Sequence, residues 1–86
     1  MRTENLMFHV TIDNSQKRFW LDGPDGLNAL RLHYEIALFA RCKGLQLREG
    51  DIWAHSREVA LAEIQRELHG FTFLGPWSSH MEQTSM

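Results

Sequence analysis

Residues 27–42, LNALRLHYEIALFARC, constrain this chain more than any other stretch, because they read as a helix that is apolar on two sides. The run is rich in leucine and alanine. The breaker GPDG at 23–26 precedes it with Asp25 available as a cap, and Gly44 stands just past its end. At about 100° per residue, Leu27, Leu30, Tyr34, Ala37 and Leu38 form one stripe, and Leu32, Ile36 and Phe39 form a second on nearly the opposite side. Only the wedge around Asn28, Arg31 and Glu35 is polar. One sheet face cannot bury two opposed stripes. Leu32, Ile36 and Phe39 are therefore expected to be covered by another helix or by a second copy of the chain. In the latter case they form a homodimer interface in which one patch serves both subunits.

The flanking segments supply a sheet for this helix to pack on. LMFHVTID at 6–13 alternates, with Leu6, Phe8, Val10 and Ile12 on one side and Met7, His9, Thr11 and Asp13 on the other. The turn-forming cluster DNSQK leads into a second β-favouring run, RFWLD, so residues 6–22 read as a β-hairpin. After KGLQLREGD, IWAH reads as a short strand, with Leu45–Leu47 available as an edge strand. SREVALAEIQREL reads as a second helix ended by Gly70, and FTFL as a last strand. The predicted order is ββαβαβ. It implies an α+β domain over residues 1–76, a mainly antiparallel sheet of three to five strands with two helices on one face. Residues 77–86 are expected to be a polar C-terminal tail.

Length and charge narrow the functional classes. At 86 residues with 43% hydrophobic and 23% charged residues, the chain suits one globular domain with a modest core. Charged residues interrupt every apolar run well short of the ~18 residues a membrane span needs. The N-terminus MRTENLMFHV lacks a secretory h-region, and the lone Cys42 suits a reducing compartment, so a cytoplasmic location is expected. Net charge is −2 and the basic residues are spread singly, which disfavours direct binding to nucleic acid, a process that draws on clustered Lys and Arg.

Within DIWAHSREVAL at 51–61, His55 and Ser56 could suggest a base and a nucleophile. Adjacent residues at a strand-to-helix junction point apart, however, and Ser56 followed by Glu58 reads as a helix N-cap. Five histidines and one cysteine invite a metal, but no Cys-x-x-Cys, His-x-x-x-His or His-Glu-x-x-His spacing occurs, and no glycine spacing fits a phosphate cradle. Neither a metal nor a cofactor is expected.

The remaining candidates are surfaces. Trp20 falls on the side of its strand shared with Arg18 and with the Met7, His9, Thr11 row. This sheet face is either a partner-binding surface anchored by Trp20 or is shielded by the chain around Trp77. Glu58, Glu63 and Glu67, interleaved with Arg57 and Arg66, make an acidic face on the second helix. These features imply a small non-enzymatic protein-binding module: a regulator, adaptor or inhibitor of a larger protein, with nucleic-acid-handling machinery as one such target, and a homodimer in its own right. Two other readings follow from the same residues. One is a ligand-binding or enzymatic pocket between the first helix and the sheet, lined by His33, Tyr34, Trp53 and His55. The other is a nucleic-acid surface of Lys17, Arg18, Trp20 and His9 on the open sheet face.

Overall fold

The computed structural model describes residues 4–77. In chain order its elements are β1 (Leu6–Asp13), β2 (Arg18–Asp22), α1 (Ala29–Lys43), β3 (Leu47–Ala54), α2 (Arg57–Glu67) and β4 (Thr72–Phe73), the predicted ββαβαβ order of an α+β domain. The four strands lie in the order β3-β1-β2-β4. β1 pairs antiparallel with both neighbours, and only the short β4 runs parallel, along β2.

The hairpin turn is organised by one carboxylate. Asp13 Oδ1 accepts hydrogen bonds from the Ser15 amide (3.1 Å), the Ser15 hydroxyl (2.8 Å) and the Gln16 amide (3.2 Å), while Oδ2 accepts from Arg18 Nε at 2.9 Å. An Asp side chain that satisfies backbone donors two and three residues ahead is what bends the chain here. Lys17 completes the turn at φ 55°.

Asn28, not Asp25, caps α1, its side chain accepting from the Arg31 amide at 3.1 Å. Asp25 lies too far upstream, in the GPDG turn. Gly44 closes the helix at φ 69°, a left-handed conformation that costs glycine little. Ser56 caps α2 as its sequence position implies, accepting from the Val59 amide at 3.2 Å. The GPDG turn is also tightly seated. A Cβ on Gly23, at φ 109°, would lie 2.9 Å from the backbone oxygen of Met7, so no larger residue fits.

The placement of the helices corrects the expectation that both share one sheet face. In the first core Phe8, Val10, Phe19 and Leu21 pack with Ala54 and with Ala60 and Ile64 of α2; in the second Trp20 packs with Leu32 and Ile36 of α1 and with Trp77. Residues facing each other across an antiparallel pair share a face, and the register sets Val10 with Leu21 and Thr11 with Trp20. The two cores therefore lie on opposite sides of the sheet, with α2 on one and α1 on the other. The reason is Trp20: a tryptophan in a central strand, beside a fully buried Thr11, needs its own cover.

That cover includes Trp77, which the sequence reading assigned to the tail. Its side chain is fully buried, its ring meets Trp20 at 4.7 Å and Phe39 at 5.1 Å, both edge to face, and its amide donates to Asp22 Oδ1 at 2.9 Å. Trp77 thus belongs to the domain, and the remainder of the expected tail, residues 78–86, lies outside the described residues.

Candidate functional site

The inward packing of α1 settles which of its two stripes is available. Leu32 and Ile36 are buried and Phe39 is half-buried against Trp77, so the three residues read as a homodimer interface are core. The opposite stripe is the bare one: Leu30 is 80% exposed, Tyr34 69% and Leu38 51%. These three residues recur every fourth position and rise about 12 Å along the helix. Scattered exposed apolar residues are ordinary, but a continuous row on one helix face marks an interaction surface.

The face proposed around Trp20 is not a surface. Trp20 and His9 are buried and Met7 is half-buried on the same side of the sheet, while Arg18 sits over the Trp20 ring and pairs with Asp13. The sequence shows that Trp20 and His9 share a side; it does not show that a helix returns over them. A base-stacking surface built on Trp20 and His9 is excluded by the same cover. Glu58, Glu63 and Glu67 are exposed on α2, as read. Arg57 leaves them: its guanidinium donates to the backbone oxygens of Gly23 (3.0 Å) and Leu21 (3.3 Å), fastening α2 to the GPDG turn. Because α2 lies across the sheet from α1, the acidic face and the α1 stripe are on opposite sides of the molecule.

A cleft of about 470 Å³ opens between the N-terminal half of α1 and the sheet, lined by His9, Ala29, Leu30, His33, Glu49, Gly50 and Asp51. Of the pocket residues expected there only His33 lines it; Tyr34, Trp53 and His55 are exposed elsewhere. Glu49 is its hub. One of its carboxylate oxygens lies 3.0 Å from His9 Nε2, and both lie 3.0 Å from His33 Nδ1, while His9 Nδ1 is 3.4 Å from Asp51. The cluster ties α1 to β3 over the buried His9 ring. Among the described residues no group of three potential ligands is arranged to hold a metal ion.

Glu49 and Asp51 escape the sequence reading because KGLQLREGD reads as a short extended segment and turn. In the structure its LREGD is the first part of β3, which pairs with β1 from Leu6↔Ala54 to Asp13↔Leu47. The available signal was its alternation: Leu47, Glu49, Asp51 and Trp53 share the α1 side of the sheet. Gly50 and the charges concealed it, since both are rare in strands.

Compared with known protein families, with curated proteins and with solved structures, the chain matches none. What can be stated of its class is a mixed four-stranded α+β sheet between two helices, one of which carries an uncovered apolar stripe. Among the described residues no helix is long and apolar enough to cross a membrane.

Proposed function

We propose that this domain is a small non-enzymatic protein-binding module, a regulator, adaptor or inhibitor, that engages its partner through the outer stripe of α1. The observation that carries this reading is the exposure of Leu30, Tyr34 and Leu38 in one row on a helix whose other side is fully used. Large apolar and aromatic side chains that no tertiary contact requires are typical anchors of interfaces. Trp53, 58% exposed on β3, is a further anchor of this kind. A cytoplasmic location is part of the same reading and rests on the lone Cys42.

Leu30→Glu and Leu38→Glu should each leave stability within about 0.5 kcal/mol of wild type, since both positions are exposed. Each should abolish retention of the protein that wild type captures from a native-host extract. The acidic-face control Glu63→Arg should retain it. Undiminished capture by both leucine variants would overturn the reading, and loss of capture in Glu63→Arg alone would shift the binding surface to α2.

A second reading, small-ligand binding, is favoured by one specific observation: the cleft gathers His9, His33, Glu49 and Asp51 beside the apolar Leu30. Its carboxylates suit a cationic amine. Titrating a set of small aliphatic and aromatic amines should shift the amide resonances of Gly50 and Asp51 in wild type and not in Glu49→Gln. Shifts confined to other surfaces, or equal in the variant, would remove this reading.

A further inference from the structure

We infer that the free edge of β3 is a docking site for an extended, lysine- or arginine-bearing segment of a partner protein, added to the sheet as a further strand. The site does not involve Tyr34 or Leu38 of the α1 stripe. β3 ends the sheet in the order β3-β1-β2-β4, and among the described residues its outer side pairs with no strand. Every second residue of a strand paired on one side turns its N–H and C=O the other way. β3 therefore offers a row of donors and acceptors whose spacing only another extended backbone matches.

Edge strands are commonly blunted by shortness, bulges, lysine or proline. β3 has none of these. It is eight residues long, its register with β1 runs unbroken from Leu47 to Ala54, and it holds neither lysine nor proline. On the α1 side it carries acid instead. Glu49 and Asp51 point there with Trp53, are met by His9 and His33, and have no lysine or arginine in the cleft beside them. Asp51 is exposed, as is Trp53.

These charges select among incoming strands. Two β3 edges pairing about Gly50 would set Glu49 opposite Asp51, and pairing about Asp51 would set that residue opposite itself. Like charges directly opposed across strands are destabilising and opposite charges stabilising, so the edge that rejects its own copy accepts a basic strand. A cationic side chain across from Asp51 lies diagonal to Trp53, within reach of the indole face. A second cation, two residues along, faces Glu49. On the α2 side Gly50 and Ile52 are half-buried, which suits apolar side chains between the cations.

The probe is a blocked heptapeptide in which lysines alternate with valines, titrated into the full chain to about 5 mM, a range that captures millimolar contacts, while backbone amide resonances are followed. It should shift the amides of Leu47–Ala54 saturably and slow hydrogen exchange at alternate amides of that strand, the signature of new backbone pairing. The same peptide with glutamate for lysine should bind at least about 10-fold more weakly, and Asp51→Lys should narrow that difference. The lysine peptide methylated at every amide nitrogen, which keeps the cations and removes the donors, should not bind.

No saturable shift in β3 overturns the inference, as does equal binding of the glutamate peptide or a difference that Asp51→Lys leaves unchanged. Equal binding of the methylated peptide overturns it in favour of cations held by the cleft alone. Shifts of the β3 amides on concentrating the protein without peptide would give the edge to a second copy instead. Capture through the α1 stripe is read separately in Leu30→Glu and Leu38→Glu, so failure of the β3 site leaves that reading standing. If Asp51→Lys loses its fold, the two peptides compared on wild type carry the charge test.

Discussion

Trp77→Ala should destabilise the domain by roughly 3–5 kcal/mol, the range for removing a large aromatic side chain from a core. That is a large share of the 5–15 kcal/mol that holds a typical domain folded. The loss has three physical parts. The indole is fully buried, it makes edge-to-face contacts with Trp20 and Phe39, and it fills the second core beside Leu32 and Ile36. Urea or thermal unfolding followed by circular dichroism should show a midpoint more than about 10 °C lower. The fluorescence of Trp20 should shift to the red as water reaches it. Trp53→Ala, removing a side chain that is already 58% exposed, should change stability by no more than about 0.5 kcal/mol. Equal effects from the two variants would refute the second core as described.

The second large effect is a dependence on acid. Burial of Asp13 would by itself raise its pKa. Hydrogen bonds from Ser15, Arg18 and Gln16, with the Arg18 charge beside it, outweigh that and hold the carboxyl below the usual aspartate value of 3.8. The unfolded chain therefore takes up this proton more readily than the folded one. The stability Asp13 contributes is complete above pH 3.8 and is lost as pH falls from there through the folded-state value. Asp13→Asn should cost about 1–3 kcal/mol at neutral pH, because a carboxamide cannot accept from Arg18 while keeping both turn amides satisfied. It should also flatten the stability curve below pH 4, approximately the ordinary aspartate range. An unchanged acid slope in Asp13→Asn would assign that slope to other carboxylates.

Much of this fold was legible in the residue order because its signals are local. The alternation in LMFHVTID, the Asp13 turn, the Gly44 stop and the Ser56 cap each act within a few residues, and the elements they define appear in the predicted order. The two apolar sides of α1 were legible for the same reason, since a 3.6-residue period is a property of one helix. Two stripes on a helix show that two covers are needed, but their sequence does not say which stripe the sheet takes. That choice fell to Leu32, Ile36 and Phe39 once β1 and β2 had paired in the register that sets Thr11 beside Trp20. β3 was hidden by the same locality. LREGD has little preference for a strand, and becomes one because all eight positions of β1 offer it a partner.

The candidate site divides along this line. Sequence alone determined that the chain has an amphipathic second helix, a first helix with apolar surface to spare and no motif that names a chemistry. The tertiary structure decided that Trp20 is core, that Trp77 returns to cover it, that Glu49 meets His9 and His33, and that Leu30, Tyr34 and Leu38 are left facing water. The physical reason is that periodicity fixes which side chains share a face, whereas only long-range pairing, set by the burial of large aromatics, fixes what each face meets.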